Sequence, residues 1–210
     1  MQTRVSVDSC GAIEPRLHPG RRICAASARI IIGRTRNPIG NPMNQTTLNA
    51  LAVFPERLQA HYAAIPKTFV HWAPASWDGI PSERFTPIEQ VCHVRDIEID
   101  GYHVRLHRVL YESNPTLPSI NSEELASQRS YATSSAEEAF ADFRAARAQT
   151  VGLISGLTAE QFSRTAVFEG YGTLSLRSLV HYLCSHDQQH LAGLQWLLGK
   201  IEAARAGLPP

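Results

Sequence analysis

The stretch from residue 173 to 201, TLSLRSLVHYLCSHDQQHLAGLQWLLGKI, constrains the fold most, because its apolar residues recur at the spacing of one long amphipathic helix. The aliphatic side of this helix carries Leu176, Leu179, Val180, Leu183, Leu191, Leu194, Leu197, Leu198 and Ile201. His186, Asp187 and His190 fall on the same side. A polar group buried without a partner costs about 1–3 kcal/mol, so the sequence predicts partners for all three inside the protein.

A metal ion is one such partner for the two histidines. In H-x-x-x-H, His186 and His190 stand one turn apart on one helix face, so their ring nitrogens can converge on a single cation. The spacing alone leaves two interpretations open, a metal site or a pair of hydrogen-bonded core histidines. His103 and His107 have the same spacing but lie on a polar stripe, which predicts ordinary solvated side chains.

Basic residues are concentrated at the N-terminus of the 210-residue chain. The net charge of +1 hides seven arginines and two acids in residues 1–42, against 13 basic and 17 acidic residues in 43–210. Residues 1–42 also lack a helical or strand period. We therefore expect a loosely structured N-terminal extension, or a start-site artefact, followed by one domain over 43–210.

The same totals exclude several classes of function. The acidic balance of residues 43–210 argues against nucleic-acid binding, and no stretch approaches the roughly 20 apolar residues of a membrane span. Four cysteines without C-x-x-C spacing suit a reducing compartment. A cytoplasmic protein is therefore expected.

Four long helical patterns predict an all-α fold, a four-helix bundle. The first three cover about 45–64, 87–111 and 135–155, and the fourth is the stretch over 173–201. Residues 112–133 are polar and predict a long crossover between helices two and three, with a brief helix at 122–129. Pro55 inside the first pattern predicts a late start or a kink.

The second predicted helix carries a further histidine beside acidic residues. His93 lies off the apolar arc of this helix, next to the stripe that contains Glu89 and Asp96, so periodicity does not place it in a core. Glu89 and Asp96 stand about one turn on either side of His93. They are therefore candidates for a catalytic acid or base, or else part of a solvated face.

Three motifs together resemble the DinB/YfiT-like superfamily, whose members are four-helix bundles that carry a metal ion between helices. They are T-P-I-E-Q-V-C-H-V-R-D-I-E at 86–98, E-S-N-P-T-L-P at 112–118 and S-H-D-Q-Q-H-L at 185–191. The resemblance spans roughly 45–200. It implies that His93, His186 and His190 form a three-histidine metal site with positions open to water or substrate.

Several further expectations follow from that implied site. Zinc, nickel and iron all suit imidazole ligands, so the divalent metal is not identified. Asp187 should either accept a hydrogen bond from a ligand imidazole, with His93 as first choice, or neutralise a buried arginine or tryptophan N–H. The resemblance also implies a small-molecule substrate and a homodimer.

Three functions remain compatible with the sequence. A transferase or isomerase that uses a low-molecular-weight thiol is narrowly favoured by the resemblance, and it would place an arginine in the cavity, for which Arg95, Arg105 and Arg177 are available. A hydrolase that uses a metal-bound hydroxide would need a carboxylate close to the metal. A non-catalytic metal-binding bundle would have no pocket above the site.

Overall fold

The computed structural model describes residues 42–208, and four long helical runs form its bundle. The first run is α1 (Gln45–Ala63). The second joins α2 (Pro87–Asp96), a π-helix (Ile97–His103) and α3 (Val104–Tyr111). The third and fourth are α5 (Ala136–Ser155) and α7 (Leu176–Arg205). The four-helix bundle is thus confirmed, whereas the predicted extension over residues 1–42 lies, except for Pro42, outside the described residues.

The helix boundaries follow local capping chemistry. α1 begins after Asn44, whose side chain accepts a hydrogen bond from the backbone of Thr46, and it continues through the buried Pro55, so the predicted late start is wrong. α7 begins three residues later than predicted, after the N-cap Ser175, and ends at Arg205. None of the helices in residues 42–208 has the length and apolar content that crossing a membrane requires.

The crossover between α3 and α5 contains a short strand that the sequence did not predict. β1 (Thr116–Leu117) pairs in parallel with β2 (Thr165–Phe168), which pairs antiparallel with β3 (Gly172–Ser175). The crossover also contains α4 (Ser122–Gln128), which confirms the brief predicted helix, and a single turn, α6 (Ala159–Phe162), lies between α5 and β2. The small sheet fastens the crossover to the segment before α7, and it brings Phe168 over the second helical run.

The π-helix changes which side chains of the second run face the same way. In a regular α-helix, Arg105 would point about a third of a turn away from His93. The wider turns of the π-helix over Ile97–His103 rotate less per residue, and His93, Tyr102 and Arg105 all line one cavity. π-Helical segments occur frequently at functional sites, and this one orients the residues discussed below.

The bundle core consists of two apolar clusters with a polar layer between them. Along α7, residues 176–183 belong to the first cluster and residues 191–201 to the second. The buried polar residues Asp187 and His190 lie between those two segments, as does the half-buried His186. The interruption of the apolar stripe seen in the sequence is therefore a layer that crosses the bundle.

Candidate metal centre

Four side chains converge in this polar layer. One ligand atom from each of Glu83, His93, His186 and His190 lies within 4.8 Å of the others. The Nε2 atom of His186 is 3.2 Å from that of His93 and 3.1 Å from that of His190. The Glu83 carboxylate lies 3.5 Å from His93 Nε2 and 3.2 Å from His190 Nε2. The three histidines predicted from the sequence are thus brought together, with Glu83 as a fourth member.

The donor atoms suit a divalent cation. His190 Nδ1 donates a hydrogen bond to Gln90 Oε1 at 2.5 Å, so in its neutral form His190 directs the lone pair of Nε2 at the cluster. The Nε2 atoms of the three histidines and the Glu83 carboxylate lie close enough together for one cation to contact them all. Zinc, nickel and iron accept this set of imidazole and carboxylate donors.

The electrostatics of the cluster favour the ligand forms of its groups. Burial lowers the pKa of His186 well below its usual value and that of His190 to about 4, so both rings are neutral at pH 7. Burial raises the pKa of Glu83, but its close contacts with His190 and His93 outweigh that effect and hold the pKa well below its usual range. Neutral imidazoles and an ionised carboxylate are the species that bind metal ions.

Gln90 connects two members of the cluster, His190 and the loop that carries Glu83, through hydrogen bonds. Its side chain is fully buried, and its amide nitrogen donates to the carbonyls of Glu83 and Phe85 at 3.0 and 3.2 Å. Its oxygen, as a result, faces His190. One amide therefore orients a histidine of the cluster and fixes the loop that supplies Glu83.

Sequence reasoning missed Glu83 because it lies in a turn-rich connector over residues 74–86, immediately before α2, and this connector has no periodicity. The connector packs directly against α7, since a Cβ atom at Gly193 would overlap with Ser82 Oγ. The available signal was its position only three residues before the N-cap Thr86. The connector must therefore end at the beginning of the helix that carries His93.

Asp187 pairs with a buried arginine, which is the second of the two contacts predicted for it. Its carboxylate accepts hydrogen bonds from Arg147 at 2.6 and 2.9 Å, and both side chains are buried. The first choice, a hydrogen bond from His93, is wrong, because His93 Nδ1 has no partner within residues 42–208. Arg147 donates to both carboxylate oxygens of Asp187, so Asp187 connects α7 to α5 rather than orienting an imidazole of the cluster.

The two predicted acid–base candidates lie outside the cluster. Glu89 accepts hydrogen bonds from the backbone N–H and hydroxyl of Thr86, which makes it part of the capping box of α2. Asp96 is buried and accepts a hydrogen bond from Tyr131 at 2.7 Å and ion pairs from Arg95 and Arg129. Both carboxylates are engaged in structural contacts. The carboxylate beside the three histidines is that of Glu83 instead.

The second H-x-x-x-H pair is only half solvated. His103 Nε2 lies 3.0 Å from both the carbonyl oxygen of Ala146 and the hydroxyl of Thr150, so it connects the second helical run to α5. His107 is exposed and packs against Tyr111. The prediction is therefore correct for His107 and wrong for His103.

A cavity of about 300 Å³ opens beside the cluster. Its walls include Glu83, His93 and His186 at one end. Of the three arginines considered from the sequence, Arg105 lines this cavity, whereas Arg95 binds Asp96 and Arg177 donates to the carbonyl of Pro42. The expectation of a non-catalytic bundle, which would lack a pocket at this place, is not met.

Replacing Gln90 should weaken metal binding without removing a ligand. In Gln90→Ala, His190 loses its Nδ1 partner and the Glu83 loop loses its anchor, so affinity for zinc should fall about 10–100-fold. A chelator competition titration measures this directly. Gln188→Ala, an exposed position on α7, serves as control and should bind zinc as the wild type does. Equal affinity in both variants would show that Gln90 does not position the cluster.

The comparisons with known proteins agree with this architecture. YfiT from Bacillus subtilis, a probable metal-dependent hydrolase with an unusual four-helix bundle topology, is similar in structure, with a TM-score of 0.62 and 17% sequence identity over 82% of this chain and 97% of YfiT. No curated protein matches the chain significantly in sequence. The family model of the DinB superfamily matches residues 50–194. The chain therefore belongs to the DinB superfamily.

Proposed function

We propose that this protein is a metal-dependent hydrolase whose ion is held by His93, His186 and His190. The observation that carries the proposal is Glu83, an ionised carboxylate at the edge of the three-histidine cluster and in the wall of the cavity. A hydrolase needs such a carboxylate beside its nucleophilic water. The description of YfiT as a probable metal-dependent hydrolase supports the same assignment.

The chain's own residues have distinct parts in this reaction. His93, His186 and His190 would hold a divalent ion, which would supply the acidification of a water molecule towards neutral pH. Glu83 is positioned to accept the proton that the attacking water gives up, and later to return it to the leaving group. The cavity beside His186 binds a small ester or amide next to these groups.

A thiol-dependent transferase or isomerase is the second candidate. It is favoured by Arg105, which lines the cavity as the carboxylates of a low-molecular-weight thiol would require. In that reaction the ion would bind the thiol as thiolate. Glu83 has no evident task in the transfer step, which is why hydrolysis is preferred.

The decisive variant is Glu83→Gln. It keeps the size of the side chain but removes the base, so hydrolysis should fall about 10²–10⁴-fold while zinc, nickel or iron stays bound. Metal content is measured by elemental analysis of protein purified without a histidine tag, and rates with a panel of esters, amides and phosphoesters. Glu89→Gln is the matched control, because glutamine also completes a capping box, and its rates should equal those of the wild type.

Two results would contradict the proposal. Metal-loaded wild type that hydrolyses no member of the panel but transfers thiols to electrophiles would favour the second candidate. Unchanged hydrolysis by Glu83→Gln would remove Glu83 from the reaction.

A further inference from the structure

Arg105 is a buried cation that has no acidic partner in the part of the chain that the structure describes. Its side chain is only 6% exposed. The guanidinium donates one hydrogen bond, from Nη2 to the carbonyl of Pro118 at 3.1 Å, and forms no ion pair within residues 42–208. A buried charge is normally paired. Arg147, the other deeply buried arginine in this range, contacts two carboxylates.

The protein holds the guanidinium firmly at this position. Its carbon lies 4.5 Å from the ring centroid of Phe168 and 5.4 Å from that of Tyr102, so aromatic rings pack against it. Gly101 provides space, because a Cβ atom there would come within 3.0 Å of Arg105 Nη1. The π-helix turns the residue towards the cavity. Burial lowers the pKa of Arg105 from its ordinary value, as expected of a cation without a carboxylate partner.

The arginine and the metal cluster belong to the same cavity. Tyr102 separates them, since its ring centroid lies 6.4 Å from that of His186 and its face is turned to Arg105. Phe168, Tyr171 and Tyr182 continue the wall in a chain of ring contacts at 4.7 and 4.9 Å. Phe168, Tyr171 and Tyr182 also line the cavity. The cavity thus has a cation at one end, a metal-binding cluster at the other and aromatic rings between them.

We propose that Arg105 binds a carboxylate of the substrate, and that the reactive bond of the same molecule then lies at the Glu83–histidine cluster. This inference rests on the proposed function. The planar fork of a guanidinium matches a carboxylate with two parallel N–H···O bonds, and most of the N–H donors of Arg105 are not used by the protein. The aromatic wall packs against the organic part between the two ends. The substrate class is therefore a small, monoanionic carboxylic acid that carries an ester or amide bond.

The test compares benzoate, benzamide and phenyl phosphate as probes of the full-length protein. Dissociation constants come from calorimetry, and the NMR signal of the Arg105 Nε–H reports whether the probe reaches this residue. Wild type should bind benzoate about 10–100-fold more tightly than the neutral benzamide. The preference should persist after metal removal by a chelator, because it depends on the arginine rather than on the ion.

Three variants make the test specific. Arg105→Met keeps the apolar stem and should lose the preference for benzoate. Gly101→Ala keeps the charge but displaces the guanidinium, so it should weaken benzoate binding while leaving metal content unchanged. Arg177→Met removes an exposed arginine and should behave as wild type.

Several outcomes would overturn the inference. They are equal binding of benzoate and benzamide by wild type, a preference that survives in Arg105→Met, a preference that disappears with the metal, and tighter binding of phenyl phosphate than of benzoate. These results are separable from those for the proposed function. If the protein preferred carboxylates but had no hydrolytic activity, the Arg105 site would be supported and the hydrolase proposal contradicted. If it hydrolysed neutral and anionic esters at equal rates, the hydrolase proposal would be supported and the Arg105 site contradicted.

Discussion

His186→Ala is expected to lose its metal ion and, with it, all metal-dependent activity. Three imidazoles meet at one point and hold the ion in the proposed site, and removal of one leaves only two histidine ligands. Affinity for zinc should fall by more than about 100-fold, which exceeds the effect expected of Gln90→Ala, because Gln90 only hydrogen-bonds to a ligand. Elemental analysis of the purified variant and a chelator competition titration measure this loss. Hydrolysis should fall to the level of metal-free wild type.

The control for this variant is His107→Ala. His107 belongs to the second H-x-x-x-H pair but is exposed on α3, so its removal should change neither metal content nor activity. His186 is only half buried, and the helical content of His186→Ala by circular dichroism should match that of wild type. If His186→Ala retained one ion per chain with unchanged affinity, the histidine cluster would not be the metal site.

The helices were predictable because their information is local. Apolar spacing and helix-capping residues, such as the N-cap Thr86 of α2 and the C-cap Gly156 of α5, act through neighbouring residues only, and the structure reproduces the predicted helices within a few residues. The polar interruption of α7 was also visible, since His186, Asp187 and His190 share the apolar side. The sequence thus predicted a polar layer in the core without saying what fills it.

The remainder of the site depends on contacts that a helical wheel does not contain. The wheel left His93 beside an acidic stripe, and only the resemblance to a family placed it with the other histidines. The π-helix over Ile97–His103 shifts the phase of the second run, which is why Arg105 faces the cavity. Glu83 and its anchor Gln90 meet through a loop without periodicity. Irregular backbone therefore supplies the parts that determine the chemistry.

Arg147 is a core residue whose contacts could not be predicted from the sequence either. It lies on the apolar side of α5, and the sequence allowed Asp187 a buried arginine without identifying which one. In the structure its guanidinium contacts Asp187 on α7, Glu98 in the π-helix and the carbonyl of Leu51 on α1. All four helical runs therefore meet at this one side chain. These contacts join the four runs in the same polar layer that contains the histidine cluster.

Arg147→Met should destabilise the fold by about 3–5 kcal/mol, because it leaves two carboxylates buried together without their cation. Glu98 and Asp187 are each 1% exposed, so water cannot replace the guanidinium. Such a loss is a large part of the roughly 5–15 kcal/mol that stabilises a typical domain. The free energy of unfolding is measured by urea titration of metal-free protein, since a bound ion would add its own stabilisation.

Two further variants separate the buried charges from the loss of side-chain packing. Arg144→Met, one turn earlier on α5, removes a partly exposed arginine that donates to Gln59, and it should cost less than about 1 kcal/mol. Combining Arg147→Met with Glu98→Gln and Asp187→Asn removes the charges as well as the cation, so it should recover part of the lost stability. If Arg147→Met cost no more than Arg144→Met, the buried ion pairs would not stabilise the fold, and Arg147 would act in the core only by its packing against Phe54 and Phe143.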